Sequence, residues 1–231
     1  MNDAMSLLGV GIYSVPEAAR LTEVSANRIR RWLGGYDFKV KDGSVHKSPA
    51  LWQGAIREGK ELSLSFRDLI EVRFVDAFRK HGVSWEVLRL SAQRAAELFQ
   101  VTHPFSAKRF RTDGKSIFAD IVSESGEESL VDLFKNQYGF KKILDPYLYR
   151  GLEFSPSDDL LRWWPMGQKR KVVLDPARAF GQPIVSTGYI QTTVLASAYR
   201  AEESFERVAN WFGTDARSVR DAVEFEGKLA A

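Results

Sequence analysis

The chain contains no cysteine among its 231 residues. Disulfide bonds, thiolate metal sites and cysteine nucleophiles are therefore excluded. The chain also lacks any apolar run that approaches the roughly 20 residues needed to cross a bilayer, and its amino end has no basic stretch followed by an apolar core. We therefore expect a cytoplasmic protein that does not bind to membranes.

Residue patterns typical of enzymes are also scarce. We find no glycine-rich phosphate loop and no nucleophile elbow. The three histidines, His46, His81 and His103, lie in separate predicted elements without the spacing of metal ligands, and each is predicted to lie at the surface or at a helix end. The acidic pair Asp158-Asp159 stands beside serine and proline, which is typical of caps and loops. The sequence predicts no catalytic site, metal site or cofactor, and a nuclease is the enzymatic alternative that stays open.

What the chain does contain is a small excess of basic residues, which gives a formal net charge of +3. Such an excess permits a polyanionic partner but does not require one. The length allows more than one domain. We divide the chain into a first region over residues 1–62, a middle region over 63–168 and a carboxyl-terminal region over 169–231.

Two short helices are predicted within residues 13–33. Ser14 can cap the first helix, Pro16 lies in its first turn, and Glu17 completes a capping box with Ser14. The triplet Thr22-Glu23-Val24 interrupts the helical pattern, and Ser25 can cap a second helix over residues 26–33. Two helices joined by a short turn are typical of the helix-turn-helix that binds DNA.

The second of these helices has an apolar face and a polar face. Ile29, Trp32 and Leu33 fall on one side and are predicted to be buried, whereas asparagine and arginine side chains fall on the other. These residue types bond base edges in the major groove and neutralise phosphates, although a solvated surface is the alternative. With the adjoining cap and hairpin, the predicted DNA-contacting residues are Ser25, Asn27, Arg28, Arg30, Arg31, Lys39 and Lys41.

A β-hairpin is predicted over residues 36–46, where apolar and polar residues alternate on both sides of Asp42-Gly43. We interpret this hairpin as the wing that often accompanies a helix-turn-helix. Lys39, Lys41 and Lys47 would then contact phosphates, and the alternative is that they are ordinary surface lysines.

The middle region is predicted to begin with a helical hairpin. One helix starts at Ser65 and ends before Gly82, and the next runs from Ser84 to about Phe99, with aromatic residues at helical spacing that indicate core. Residues 108–122 alternate around Thr112-Asp113-Gly114, which predicts a second β-hairpin. Short helices are predicted over residues 128–136 and 140–144.

Residues 147–171 are rich in aromatic side chains and have little regular periodicity, which indicates a linker or an arm. The aromatic content is too high for a disordered tether. These side chains must be buried within this chain or against a partner, and we favour strands within the chain.

The carboxyl-terminal region is predicted to hold a strand at residues 172–174, a glycine-bounded apolar element over 181–190, and three helices. The helices start at Thr192 or Thr193, at Ala201 and at Asp215, in an arrangement similar to a homeodomain. Acidic side chains on the last helix favour a protein contact or a dimer over a DNA groove. The predicted fold class is mainly α with small β-hairpins (α+β).

The carboxyl-terminal region resembles the domain of unknown function (DUF433) that forms the end of VapB-type antitoxins. The matching residues are Gly181, Pro183, Ile184, Val185 and Ile190, followed by Ala201-Glu202-Glu203 and by Val219-Arg220-Asp221-Ala222 with Phe225. The chain departs from the family at Thr187-Gly188-Tyr189, where the family has Gly-Thr-Arg, so no role of that arginine carries over. Residues 14–60 are similar to the helix-turn-helix that precedes this domain in longer members.

The resemblance implies a type II antitoxin, which silences a PIN-like ribonuclease toxin and represses the promoter that the two genes share. It further implies toxin contacts by an aromatic arm and by basic side chains that enter the acidic metal site of the toxin. The candidates are Tyr149, Arg150, Arg162, Trp163, Trp164, Lys169 and Arg170.

Two further expectations concern partners. A MerR-like regulator that responds to a small ligand, with residues 64–99 as its dimer or sensor element, is the alternative to an antitoxin. Palindromic operators require two copies of the reading helix, so we expect a homodimer.

Overall fold

A computed structural model of the chain describes residues 9–39, 43–52, 56–58, 61–125 and 148–230. This part of the chain combines helices with small antiparallel sheets, which confirms the predicted α+β class. The chain divides into two compact units. Of the residues that the structure describes, the first unit contains those between Tyr13 and Tyr149, and the second contains those from Arg150 onward together with residues 9–12.

The first unit opens with the last two residues of strand β1 (Ile12–Ser14), followed by helices α1 (Val15–Thr22) and α2 (Ala26–Gly34). The capping box is confirmed, since Ser14 Oγ accepts a hydrogen bond from the backbone N–H of Glu17 and the backbone N–H of Ser14 donates to Glu17 Oε2 at 2.7 Å. The predicted side-chain cap at Ser25 is wrong. The Ser25 side chain is exposed and makes no cap hydrogen bond, and only its carbonyl oxygen accepts, from the N–H of Ile29.

The hairpin predicted after α2 is confirmed by two antiparallel strands, β2 (Tyr36–Lys39) and β3 (Val45–Ser48). Gly35 allows the hairpin to return beside α2. Its φ is +70°, and a Cβ at this position would lie 2.6 Å from the carbonyl oxygen of Ser48. Two further strands, β4 (Ile56–Glu58) and β5 (Glu61–Ser65), form a sheet with β1 in the order β1-β5-β4 that the sequence did not predict.

Both helices of the predicted helical hairpin are confirmed, as α3 (Phe66–Lys80) and α4 (Trp85–Phe99). Ser65 and Asp68 form a capping box at the start of α3, and Ser84 Oγ accepts from the N–H of Val87 at the start of α4. Side-chain caps at both starts explain why the sequence located these helices within one residue.

The second β-hairpin predicted for residues 108–122 is wrong, because these residues belong to helix α5 (Phe110–Ser125). Phe110, Phe118 and Val122 are buried at helical spacing. Phe110 and Phe118 form an aromatic cluster with Phe78 and Phe105, in which ring centroids lie 4.8 to 6.2 Å apart. The packing of this stripe outweighs the turn propensity of Asp-Gly and the short alternation beside it. The helices predicted over residues 128–136 and 140–144 lie outside the described residues.

A buried polar network lies under the start of α3. Asp68 Oδ1 accepts from Trp52 Nε1 at 2.7 Å and lies 2.9 Å from His103 Nε2, and Asp68 Oδ2 accepts from the backbone N–H of Ser65. Burial alone raises the pKa of Asp68, but the hydrogen bonds from His103, Ser65 and Trp52 outweigh it and hold the pKa below its ordinary value. The surface position predicted for His103 is therefore wrong, since this network buries the ring.

The second unit begins with a four-stranded antiparallel sheet in the order β6-β7-β8-β9. The strands are β6 (Leu152–Phe154), β7 (Leu160–Trp163), β8 (Val172–Leu174) and β9 (Pro183–Val185). The interpretation of residues 147–171 as a linker is wrong because they contribute β6 and β7. Backbone pairing of these strands buries Trp163 opposite Leu174, which confirms the favoured burial of the aromatic residues within the chain.

Three helices follow, α6 (Thr192–Glu202), α7 (Phe205–Phe212) and α8 (Ala216–Ala230), which confirms their number and order. The predicted start of the second helix at Ala201 is wrong, because Ala201 lies in the last turn of α6 and Ser204 caps α7 by accepting from the backbone N–H of Arg207. They enclose an apolar core with β9, formed by Val185, Leu195, Val208, Ala209, Val219 and Ala222. Among the described helices, none is both long enough and apolar enough to span a bilayer.

Helix α5 contains a glycine whose missing side chain matters. A Cβ on Gly114 would lie 2.8 Å from Cζ of Phe110, whose ring is fixed in the aromatic cluster, whereas a Cβ on Gly227 in α8 would meet nothing within 4 Å. We predict that Gly114→Ala destabilises the first unit by about 1 to 3 kcal/mol through overpacking. Gly227→Ala should stabilise the second unit by about 0.5 to 1 kcal/mol. Urea unfolding measures both, and equal stabilisation by the two changes would contradict the packing described for α5.

Glu71 provides a test of the buried network through pH. Burial raises the pKa of Glu71 well above its ordinary value of 4.5, the backbone N–H groups of Phe105 and Ser106 lower it, and the charge of Asp68 raises it. The native chain then holds a proton on Glu71 that the unfolded chain releases, so the contribution of Glu71 to stability falls as the pH rises above 4.5. We predict that Glu71→Gln removes this decrease. Unfolding free energies between pH 4 and pH 8 measure it, with exposed Glu97→Gln as the control. A constant difference between wild type and Glu71→Gln would refute the assignment.

Candidate nucleic-acid interface

Helix α2 is fixed to the first unit by its apolar face. Ile29, Trp32 and Leu33 are each at most 5% exposed, which confirms their predicted burial. The Trp32 ring meets Trp85 edge to face, with centroids 5.7 Å apart and planes at 66°. The backbone N–H of Leu51 donates to the Trp32 carbonyl oxygen at 2.8 Å and so satisfies one of the free carbonyl groups at the end of α2.

The opposite face of α2 is exposed. Asn27, Arg28, Arg30 and Arg31 all lie on the solvent side, as the amphipathic pattern predicted. Ser25, at the start of the helix, is also exposed. The structure therefore brings five of the seven predicted DNA-contacting residues onto one helix and its cap, and their contact with DNA stays a prediction.

Two of the arginines on α2 are oriented by neighbouring side chains. Arg28 Nη1 lies 3.5 Å from Asp76 Oδ1 of α3, and Asp76 Oδ2 also accepts from Lys80 Nζ at 2.7 Å. The guanidinium carbon of Arg31 stands 4.2 Å from the centroid of the Tyr36 ring. Cation–π contacts of this kind fix the plane of a guanidinium while leaving its N–H donors available.

The β2–β3 hairpin lies beside α2 and is held there by α4, since Arg89 Nη2 donates to Ser48 Oγ at 3.0 Å. Its antiparallel register pairs Asp37 with Lys47 and Lys39 with Val45. Lys39 and Lys47 are exposed, and Lys41 lies outside the described residues. The structure is thus compatible with both interpretations of these lysines, as phosphate contacts or as ordinary surface residues.

Two cations beside α2 were not predicted from the sequence. Arg79 and Lys80 end α3, where sequence reasoning treats basic residues as charges that suit a helix carboxyl terminus. In the structure they line a cavity with residues from α2, β2 and α4. The sequence shows that two adjacent basic residues precede Gly82, but it does not show which element of the fold their side chains face.

The seven residues implied as toxin contacts do not form a single cluster. Tyr149 is buried in the first unit, where its hydroxyl donates to the carbonyl oxygens of Phe105 and Ala107. Trp163 is buried in the sheet of the second unit, and Trp164 Nε1 donates to Glu153 Oε2 at 3.0 Å. These aromatic residues therefore serve the packing of the units to which they belong.

The four basic candidates divide into two kinds. Arg162 Nε donates to Asp175 Oδ2 at 2.8 Å, and this hydrogen bond raises the pKa of the guanidinium despite partial burial. Arg170 lies between Asp221, at 2.8 Å, and Glu224. Arg150 and Lys169 have exposed side chains. Carboxylates within the chain thus already bind two of the four candidates.

The described residues contain no group of three or more His, Asp or Glu side chains that could hold a metal ion. The acidic residues of α8 are in part structural, because Asp221 Oδ2 accepts from the backbone N–H of Lys171 and its other oxygen binds Arg170.

Comparison with known proteins finds a similar sequence and a similar solved structure, each over nearly the whole chain. No family model matches the chain. The chain is 27% identical over 227 residues to a Mycobacterium tuberculosis protein named "putative antitoxin VapB45", and the match covers 93% of each. It also resembles the crystal structure of RV2018 from Mycobacterium tuberculosis, with a TM-score of 0.71, 25% identity, and coverage of 94% of this chain and 99% of that one.

Proposed function

We propose that this protein is the antitoxin of a type II toxin–antitoxin system that acts in the cytoplasm. In this role it binds and neutralises a PIN-like ribonuclease toxin and represses its own promoter. The likeness to a relative named as an antitoxin, which extends over 93% of both chains, supports the role and favours it over a ligand-responsive MerR-like regulator.

The observation that carries the DNA-binding half of the proposal is the exposed polar face of α2. In a helix-turn-helix, the second helix enters the major groove and the first crosses the backbone. Helices α1 and α2 are joined by three residues, and α2 presents Asn27, Arg30 and Arg31 opposite its buried face. We propose that Asn27 and Arg30 contact base edges, which suit asparagine and arginine, and that Ser25 and Lys39 contact phosphates.

The same proposal includes a homodimer. One α2 of nine residues reads only one half-site of an operator, and two-fold operators require two such helices about one helical turn, or a multiple of it, apart. A second copy of the chain would supply the second helix.

For the toxin-binding half, we propose that a basic side chain of the second unit enters the acidic site of the toxin. Arg150 and Lys169 suit this role because their side chains are exposed, whereas Arg162 and Arg170 would first have to release Asp175 and Asp221. Breaking such an ion pair costs free energy and would weaken toxin binding, whereas an exposed side chain such as that of Arg150 or Lys169 binds without this cost.

Substitutions on α2 test the DNA-binding half. We predict that Arg30→Ala weakens binding of the full chain to a duplex from its own promoter by about 1 to 3 kcal/mol if Arg30 reads a base, or flattens the salt dependence if it contacts a phosphate. Fluorescence anisotropy at several salt concentrations distinguishes these two results.

The control for this prediction is Arg94→Ala, which removes an exposed cation from α4 on the same unit. It should leave both affinity and salt dependence near the wild-type values. If the double variant Arg30→Ala/Arg31→Ala bound the duplex as tightly as wild type, α2 would not be the reading helix.

Co-expression with the product of the adjacent gene tests the toxin-binding half. We expect a stable complex whose ribonuclease activity is lost, and we expect Lys169→Glu or Arg150→Glu to weaken it because a carboxylate would face the carboxylates of the toxin. Size-exclusion chromatography and an RNA cleavage assay measure complex formation and inhibition.

Arg200→Glu, on the exposed side of α6, is the matched charge reversal for this experiment. It should leave the complex intact. A ribonuclease that stays active in the presence of excess wild-type chain would exclude the antitoxin role.

A further inference from the structure

A cavity of about 240 Å³ lies next to the exposed face of α2 in the first unit. Its walls come from two pairs of consecutive elements, α2 with β2 and the end of α3 with the start of α4, and the two pairs are distant from each other in the sequence. The lining residues are Arg28, Arg31, Trp32, Tyr36, Arg79, Lys80 and Trp85.

The cavity is strongly cationic. Four of its lining side chains carry a positive charge, and the carboxylate that contacts two of them is Asp76, whose side chain is only 7% exposed. Asp76 holds Lys80 at 2.7 Å and Arg28 at 3.5 Å, which brings these two cations together although they repel each other. Among the residues that the structure describes, one carboxylate thus contacts a cavity lined by four cations, which keeps an excess of positive charge.

The aromatic residues of the cavity position guanidinium groups. Arg31 stacks on Tyr36 at 4.2 Å, and Arg79 stacks on Trp85 at 5.1 Å. Trp32 is 5% exposed and offers almost no ring surface to a ligand. Because arginines already cover faces of the half-buried rings of Tyr36 and Trp85, the cavity is equipped to bind an anion rather than to stack a base.

We propose that this cavity binds a phosphate of the DNA backbone beside the base-reading face of α2, with Arg79 and Lys80 as phosphate ligands outside α1 and α2. The proposal rests on the DNA-binding function proposed above. It deepens that function because Arg28 and Arg31 belong both to the exposed face of α2 and to the cavity wall.

The geometry favours a backbone phosphate over a free one. A helix in the major groove is flanked by the two phosphate backbones, so a cationic cavity directly beside that helix lies where a backbone passes. Guanidinium groups that are fixed in place before binding lose little conformational freedom when a phosphate arrives. The cavity would thus set the register of α2 on the duplex without reading sequence.

Lys80→Gln and Arg79→Gln test the proposal in the full chain. Each removes one cation, and we expect the slope of log affinity against log salt concentration to become shallower by about 1. The ratio of affinities for the promoter duplex and a scrambled duplex should stay unchanged, because a phosphate contact carries no sequence information. Arg94→Gln is the matched control and should keep the wild-type slope.

Two variants are used so that a folding defect in one cannot be mistaken for the loss of a phosphate contact. Arg79 also donates a hydrogen bond to the Val83 carbonyl oxygen, so its loss can disturb the end of α3, whereas the Lys80 side chain is 64% exposed. Circular dichroism and thermal unfolding should show Lys80→Gln folded as wild type. The expected change in slope must therefore appear in Lys80→Gln by itself.

A titration with inorganic phosphate in the absence of DNA distinguishes the source of the phosphate. The indole NMR signals of Trp32 and Trp85 report on the cavity, and that of Trp211, which is 65% exposed on the second unit, serves as reference. If wild type binds the duplex and both variants keep the wild-type slope of log affinity against log salt concentration, the cavity proposal is overturned. The DNA-binding function then stands. Phosphate-induced shifts of Trp32 and Trp85 with unchanged DNA slopes overturn the cavity proposal in favour of a free anion. Failure of wild type to bind the promoter duplex removes both the function and the proposal.

Discussion

The burial of one face of α2 is the contact on which the rest of the first unit's surface depends. Ile29, Trp32 and Leu33 pack in the core on one face of the helix. Because helical periodicity places the arginines of α2 on the remaining faces, their side chains point to solvent. The edge-to-face contact of Trp32 with Trp85 ties α2 to the start of α4. The Arg28–Asp76 ion pair joins α2 to the end of α3, and the cationic cavity lies among these three helices and β2.

Helices whose starts depend on side chains only a few residues away in the sequence were predicted well. The capping residues Ser14 and Ser65 fix where α1 and α3 begin, because a local side chain satisfies backbone N–H groups that the helix leaves free. Prediction from the sequence failed where contacts between residues distant in the sequence decide the structure. The turn signal at Asp113-Gly114 is local, yet these residues are helical because the aromatic cluster of α5 packs on Phe78 and Phe105.

The candidate site divides in the same way. The exposed residues of α2 follow from helical periodicity, so sequence alone could name them, but Arg28 meets Asp76 across 48 positions, and no periodicity predicts such a pair. The opposite problem affects Arg162 and Arg170. The resemblance to VapB-type antitoxins implied that they enter a partner's acidic site, but strand and helix packing within the second unit brings Asp175 and Asp221 to them.

Amide hydrogen exchange of the full chain with and without its promoter duplex is the most direct test of the claim that α2 faces DNA. We expect slower exchange in Ala26–Gly34 and Val45–Ser48 when the duplex is present, and unchanged exchange in α6, α7 and α8. Slower exchange confined to the helices of the second unit, with α2 unaffected, would contradict the account.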